Sequence, residues 1–253
     1  MIVSDIAIIL HGRKFSDTSK ILTVYSQHHG KISLLAKGVR TAKSAMGGNV
    51  EALRCSSISW YQYPNKDLHL LKSAENAIPL YHLTSDYDKL IAAMCISEII
   101  SSTQETEEAN PELFDLCLQT LQMLNIELAA DRSFSYVLCF LFYLAKIMGF
   151  ALHVDNCPIT GDTIIPEESE QFFLSFNEGS ILSHSIPHNG KMGLLLNSSI
   201  VSILQKIALL NAEEFGSVSV SIADQLTMLD MFQRYFSFHS HKSFRWKSLP
   251  SGF

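Results

Sequence analysis

The chain has 253 residues, of which 47% are hydrophobic and 17% are charged, and this composition excludes an intrinsically disordered protein. The formal net charge is −6, but the charge is unevenly distributed. Residues 1–80 contain ten Lys and Arg against five Asp and Glu, whereas the remainder contains nine against twenty. A basic N-terminal part joined to an acidic remainder predicts an anionic partner for the N-terminal part.

Cysteine usage and apolar runs argue against two further classes of protein. The five cysteines are odd in number and form no CxxC pair, so we expect reduced thiols rather than a disulfide framework. The N-terminus has no basic region before an apolar stretch, so we expect no signal peptide. Residues 134–145 form an apolar run that falls short of the ~18 residues of a membrane span, and we predict a buried helix there.

The first 75 residues have the pattern of five β-strands. Residues 5–15 alternate side chains between two faces, residues 19–26 are rich in strand-forming residues, and residues 31–37 place Ile32, Leu34 and Ala36 on one face. After a longer break, residues 53–63 and 68–75 complete the set. Five strands with one longer break after the third are typical of a small closed barrel of the OB type, a common platform for single-stranded nucleic acid. The strand pattern leaves an SH3-like barrel open as an alternative.

The break after the third strand is a basic loop over residues 35–48. Lys37, Arg40 and Lys43 are spaced by three, and no acidic residue lies among them. Unpaired cations resist burial, so this loop must face water or an anionic partner. It is not a nucleotide-binding P-loop, because Ala42 and Lys37 occupy positions at which that motif requires glycine.

Beyond the barrel, which we assign to residues 1–80, the apolar period becomes helical and predicts an α-helical domain over residues 81–253. Polar residues at the predicted helix starts are Ser85, Asn110 before Pro111, Ser133, and either Asn197 or Ser198. Gly149 ends one helix, and residues 150–192 are predicted to be an irregular, turn-rich insert. The last helix is predicted at residues 222–238, before a basic and aromatic tail.

The sequence contains no GxSxG or HExxH motif, and its paired carboxylates lie in polar connectors, so we do not expect an enzyme. Nucleic-acid strands can be bound without sequence preference by two kinds of contact. Cations contact the phosphates, and aromatic rings stack on the bases. Trp60, Tyr61 and Tyr63 provide rings for stacking, unless Trp60 belongs to the core. The predicted nucleic-acid contacts are the barrel cations Arg13, Lys14, Lys20, Lys31, Lys37, Arg40, Lys43 and Arg54.

Two motifs of the barrel region resemble the RecO family of bacterial recombination mediators. Residues 10–22 read Leu-His-Gly-Arg-Lys-Phe-Ser-Asp-Thr-Ser-Lys-Ile-Leu, and residues 36–40 read Ala-Lys-Gly-Val-Arg, followed by Lys43 and Ser44. The resemblance is specific over residues 8–76 and looser beyond, to a final Arg-Ser-Leu-like tail that ends at Leu249. It implies an OB barrel followed by an α-helical domain, with no cofactor.

The resemblance also implies a function in DNA repair and homologous recombination. Members of the family bind single- and double-stranded DNA and anneal strands. With RecR they help to load the recombinase RecA onto single strands coated by the single-stranded DNA-binding protein SSB. The implied location is the bacterial cytoplasm, at the nucleoid. The alternative is a protein-interaction scaffold that does not bind DNA and acts through its helical domain.

Many family members bind zinc through two CxxC pairs in the insert. Here Cys157 stands where the first pair begins, and Thr160 replaces its mate. Near this single thiolate the sequence offers only His153, His184 and His188, so we expect a zinc-less member with a degenerate zinc-finger-like insert.

For the acidic, aromatic C-terminal tail of SSB, the resemblance implies an apolar groove flanked by cations on the helical domain. That domain is acidic on average, so its few cations are the candidates, and Arg132 at the start of the buried helix is the first choice. The predicted contacts are Arg132, Lys206, Arg234 and Arg245, with Lys242 and Lys247 as further cations.

Overall fold

The computed structural model describes residues 1–168, 170–183 and 185–248. The chain forms two compact units, Met1–Ala130 and Asp131–Phe253. Among the described residues, the first unit contains a barrel and two α-helices, and the second contains three α-helices and a small sheet. The domain boundary at residue 80 stays a prediction.

Five strands form the barrel: β1 (Ile2–Lys14), β2 (Lys20–Ser26), β3 (Gly30–Ala36), β4 (Cys55–Tyr61) and β5 (Leu68–Ile78). They close in the order β1-β2-β3-β5-β4. The β3–β5 pairing is parallel, and all other neighbours are antiparallel. This closure confirms the OB-type barrel and excludes the SH3-like alternative.

The barrel interior follows from the alternation of side chains along the strands. Its buried cluster includes Ile9, Leu22, Val24, Leu34 and Trp60. A bulge between Ile9 and His11 shifts the register of β1 against β2.

Two helices cover part of the outer surface of the barrel within the first unit, α1 (Tyr87–Thr103) and α2 (Pro111–Ile126). Asn110 caps α2 as predicted, and its side chain accepts a hydrogen bond from the backbone N–H of Leu113. The prediction of a cap at Ser85 is wrong, because the side chain of Asp86 accepts the corresponding bond at α1. On the barrel side, the Tyr25 hydroxyl donates to the carbonyl oxygen of Asn110 at 3.3 Å.

The second unit begins with α3 (Ser133–Ile147), which is the buried helix that the apolar run predicts. Ser133 is its first helical residue rather than its cap, since the preceding Arg132 occupies the cap position and makes no side-chain capping bond. Gly149 ends this part of the chain with a left-handed φ of +86°. None of the helices in the described residues is long and apolar enough to cross a membrane.

The prediction that residues 150–192 are irregular is wrong in part. Strands β6 (Gln171–Ser175) and β7 (Ser180–Leu182) lie within them and pair with β8 (Gly193–Asn197) in the order β7-β6-β8. Two helices complete the unit, α4 (Ser198–Ala208), which Asn197 caps as predicted, and α5 (Ile222–Ser240).

The tail after α5 packs back onto that helix rather than extending into solvent. The backbone N–H of Phe244 donates to Oγ of Ser237 at 3.0 Å, and that of Trp246 donates to Oε1 of Gln233 at 3.1 Å. The Phe244 and Trp246 rings are buried, while Arg245 between them is exposed. The tail therefore contributes a fixed cation to the surface. Leu249, the last residue of the predicted family-like tail, lies outside the described residues.

Candidate nucleic-acid interface

Basic residues gather at the end of the barrel where β1 and β3 stop and β2 starts. Lys14 pairs with Lys20 across β1 and β2, and Lys20 pairs with Ala36 across β2 and β3. Lys37 follows this row directly, and Arg13 precedes Lys14 on β1. We call this group, together with Arg40 and Lys43 of the following loop, the basic end of the barrel.

The loop after β3 exposes its cations because the residues between them hold it in place. Gly38 turns the chain with a left-handed φ of +71°, a conformation that glycine adopts without strain. Val39 is 5% exposed and belongs to the buried cluster of the barrel. Lys37 and Arg40 on either side of these two residues are therefore directed outward, and both are exposed.

Arg40 fastens this loop to the loop between β1 and β2. Its Nη1 donates to the carbonyl oxygens of Ser16 at 2.8 Å and Asp17 at 2.9 Å. Its backbone N–H donates to the carbonyl oxygen of Thr18 at 3.1 Å. Part of the hydrogen-bonding capacity of the guanidinium is thus used within the protein, and Arg40 holds two loops in a fixed relation.

The other cations of the basic end differ in whether they form ion pairs. Lys20 forms an ion pair with Glu51 at 2.7 Å, and Lys14 forms a longer one with Asp17 at 3.6 Å. Lys37 and Lys43 are exposed and have no ion-pair partner among the described residues. These two ammonium groups are therefore the ones that an incoming phosphate would reach without competition.

Two of the predicted contacts lie away from the basic end. Lys31 is near the start of β3, and its ammonium group donates to the carbonyl oxygen of Ser101 in α1 at 2.7 Å. Arg54 precedes β4, and its guanidinium carbon lies 4.5 Å from the centre of the Tyr81 ring. Both side chains have structural contacts, so the basic end contains six of the eight predicted residues.

The second unit contains a groove of about 500 Å³ between the start of β8, one side of α5 and the C-terminal tail. Its apolar walls include Phe176, Leu194 and Phe238, and two of the predicted cations, Arg234 and Arg245, line it. Arg234 also forms an ion pair with Asp230, one turn earlier on α5, at 2.9 Å.

The remaining cations predicted for the SSB tail do not line this groove. Arg132 stands exposed before α3, and the ammonium group of Lys206 donates to the carbonyl oxygen of Ser217 at 3.0 Å.

The chain matches two profiles of known protein families. Residues 1–78 match the profile described as "Recombination protein O N terminal", and residues 84–248 match the profile described as "Recombination protein O C terminal". This chain belongs to the Recombination protein O family. It is therefore grouped with proteins of DNA repair and recombination.

The similar curated proteins carry the name "DNA repair protein RecO". The relative from Chloroherpeton thalassium is 26% identical over 240 residues, which cover 92% of this chain and 91% of that protein. The relative from Prosthecochloris aestuarii is 29% identical over 187 residues, 72% of this chain and 70% of that protein. The relative from Actinobacillus pleuropneumoniae serotype 7 is 29% identical over 178 residues, 69% and 70% of the two chains.

Of the three aromatic rings that the sequence offers for stacking in this RecO-family barrel, one belongs to the core and two are exposed. Trp60 is 1% exposed inside the barrel, so its ring does not reach a nucleic acid. Tyr61, the last residue of β4, and Tyr63 just after it are each 38% exposed. Phe15, in the loop between β1 and β2, is 58% exposed, although it is not among the residues predicted to contact nucleic acid. The sequence indicates the exposure of Phe15 only by placing an apolar ring in an otherwise polar turn.

The Cys157 turn of this RecO-family member keeps hydrogen bonds around a buried sulfur. Burial works to raise the pKa of the Cys157 thiol, but hydrogen bonds from the Ser183 backbone and from Thr160 and Ile159 outweigh it and lower the pKa to about 7. Within the described residues, no group of three or more His, Cys, Asp or Glu side chains is placed to hold a metal ion. His184 lies outside the described residues.

Proposed function

We propose that this chain is a non-enzymatic mediator of DNA repair and homologous recombination that binds single- and double-stranded DNA at the basic end of its barrel. The observation that supports this most directly is the exposure of Lys37 and Lys43 without ion-pair partners among the described residues. Arg13, Lys14 and Lys20 extend the same surface, and Arg40 acts mainly by holding the two loops together. Lys31 and Arg54 have structural roles in this proposal.

The mechanism rests on neutralisation of phosphate charge. Each ammonium or guanidinium group that contacts a phosphate releases condensed counterions, and this release drives binding regardless of sequence. A strand held in this way carries less repulsive charge toward a second strand, which favours annealing. With RecR, the chain would then help the recombinase RecA to replace SSB on the single strand. The place of action is the cytoplasm, at the nucleoid, because the DNA lies there.

The test is charge reversal at the two free lysines. A Lys37→Glu/Lys43→Glu variant should bind a fluorescent single-stranded oligonucleotide about tenfold more weakly, because two phosphate contacts become repulsive. The slope of log affinity against log salt should shrink by ~0.7 for each lost contact with the single strand. Fluorescence anisotropy at several salt concentrations measures both quantities.

The control for this experiment changes net charge equally at other sites. Lys72 on β5 and Lys146 on α3 are exposed and lie outside the basic end, so a Lys72→Glu/Lys146→Glu variant should keep most of the affinity and the full slope. Equal behaviour of the two double variants would reject the basic end as the DNA site.

The groove beside α5 supports a second part of the function, the binding of the acidic, aromatic tail of SSB. Apolar walls suit an aromatic side chain, and Arg234 and Arg245 suit carboxylates. Titration calorimetry with an SSB-tail peptide should give a binding isotherm that an Arg245→Glu variant loses.

Arg132 provides the matched comparison, since it was the first choice from the sequence and does not line the groove. An Arg132→Glu variant should therefore bind the peptide as the wild type does, and the opposite result would move the site to the start of α3. Peptide binding without any DNA binding would favour the scaffold alternative.

A further inference from the structure

The loop between β1 and β2 presents an exposed phenylalanine at the basic end. Phe15 directly follows Lys14, the last residue of β1, and 58% of its surface is exposed. A single exposed apolar side chain is common and has no meaning by itself. Here its position and the rigidity of its loop provide the argument.

The loop that carries Phe15 is held at several points. The backbone N–H groups of Phe15 and Ser16 donate to the carbonyl oxygen of Ser19 at 3.1 and 3.3 Å. Arg40 adds its three hydrogen bonds to the carbonyl oxygens of Ser16, Asp17 and Thr18. The ring therefore stands on a fixed loop. A ligand that contacts it loses little binding free energy to ordering of the loop.

The surroundings of Phe15 distinguish it from Tyr61 and Tyr63, two other exposed aromatic residues of the first unit. Lys14 and Lys20, which pair across β1 and β2, flank its loop on both sides. Tyr61 and Tyr63 lie toward the other end of β4, and the cleft at Tyr63 is lined by Asp67 and Glu107 as well as by Lys66. Among the described aromatic side chains, Phe15 is the one that projects from the basic end.

We propose that Phe15 stacks on an unpaired base of single-stranded DNA while the cations of the basic end hold the adjacent phosphates. The inference rests on the proposed function. It makes Phe15 the residue that distinguishes single-stranded from double-stranded DNA. A phenylalanine ring has no hydrogen-bonding group, so the contact accepts any base. In a duplex the bases are already stacked on each other, so Phe15 adds affinity for single strands alone.

The experiment compares three DNA probes of equal length on the full chain. They are a thymidine 30-mer, the same backbone with abasic sites in place of the bases, and a 30-base-pair duplex. Phe15→Ala should weaken binding of the thymidine 30-mer by about five- to tenfold, because one stacked base is lost. Binding of the abasic strand and of the duplex should change less than twofold, because the phosphate contacts remain.

Two further variants protect the result from a folding artefact. Phe15→Leu keeps an apolar side chain without a ring and should show the same selective loss as Phe15→Ala. Phe15→Trp should keep the affinity and show fluorescence quenching by the thymidine 30-mer, since the native Trp60 and Trp246 are 1% and 5% exposed. Tyr87→Ala, at an aromatic residue of α1 that is 75% exposed, is the control and should bind like the wild type.

The outcomes separate the two proposals. If the wild type binds none of the probes, the proposed function fails. If the wild type binds and Phe15→Ala and Phe15→Leu keep their affinity for the thymidine 30-mer, the stacking role fails while the proposed function stands. A loss of equal size on all three probes also rejects stacking, because it shows that Phe15 acts on phosphate contacts through the shape of its loop.

Discussion

At the scale of single residues, Asp5 ties the first strand to the turn between β2 and β3. Its carboxylate is 4% exposed and accepts a hydrogen bond from the Ser26 hydroxyl. The backbone N–H of His28 donates to it at 2.8 Å, and Nδ1 of His28 and of His29 lie 2.9 and 3.1 Å from its oxygens. The His-His turn that looks merely polar in the sequence is thus anchored by a buried carboxylate.

The pKa of Asp5 makes this anchor sensitive to acid. Burial works to raise the pKa, but the hydrogen bonds from Ser26, His28 and His29 outweigh burial and lower the pKa from 3.8 to about 2. A carboxyl group with a depressed pKa in the folded state stabilises the fold above its unfolded pKa. That contribution should be lost as the pH falls from about 4 to about 2.

Asp5→Asn should therefore lower the free energy of unfolding by about 2 kcal/mol at neutral pH, because buried donors lose a charged acceptor. The variant should also show a flatter decline of stability between pH 4 and 2. Urea unfolding at a series of pH values measures both effects. Asp17→Asn is the control, since the Asp17 side chain is fully exposed, and an equal effect of both substitutions would contradict the role given to Asp5.

At the scale of elements, the sequence predicts what local pattern determines. Alternation and strand-forming residues indicate the five barrel strands, and the Asn110-Pro111 pair marks the start of α2 to the residue. Strand ends were less accurate, because they depend on partners far along the chain. The strand β1 begins at Ile2 since that residue pairs with Tyr61, and nothing near Ile2 in the sequence indicates this pairing.

The sheet of the second unit was missed for the same physical reason. The strand β7 has three residues and β6 has five, and a turn separates them, so neither offers enough alternation to recognise. The pairing of β6 with β8 joins Gln171 to Asn197 across an intervening stretch that contains turns. Short strands that are stabilised by distant partners leave only a weak local signal.

The candidate site was only partly visible in the sequence. Lysines at the basic end and lysines with structural contacts look identical there, and the fold separates Lys37 from Lys31 through the carbonyl group that α1 offers to the latter. The role of Arg40 in holding a loop required the path of a second, distant loop. The exposure of Phe15 likewise depends on the fold, because no neighbouring segment among the described residues covers its ring.

At the scale of the whole molecule, α1 and α2 form one compact unit with the barrel. Ile8 and Tyr25 alternate out of the barrel interior, yet both are fully buried. The Tyr25 ring lies 6.1 Å from that of Phe114 in α2. Removal of the two helices would expose such side chains to water. The free energy of unfolding would fall by about 1.5–3 kcal/mol for each large residue exposed.

A fragment of residues 1–130 should therefore unfold in one cooperative transition, whereas a fragment of residues 1–80 should be several kcal/mol less stable or lack a transition. Thermal unfolding followed by circular dichroism compares the two fragments, with the full chain as the reference. Equal stability of both fragments would instead place the folding boundary at residue 80, as the sequence predicts.

The double pairing of β1 also has a consequence for biosynthesis. One edge of β1 pairs with β2 as soon as both strands have left the ribosome, but its other edge pairs with β4 and must wait. The barrel closes only after β5, which ends at Ile78, has been made. At about 5–20 residues per second, the nascent chain carries an open strand edge for about 2–8 s after β3 is complete. During that interval a neighbouring nascent chain on the same messenger RNA can pair with the open edges of the incomplete barrel.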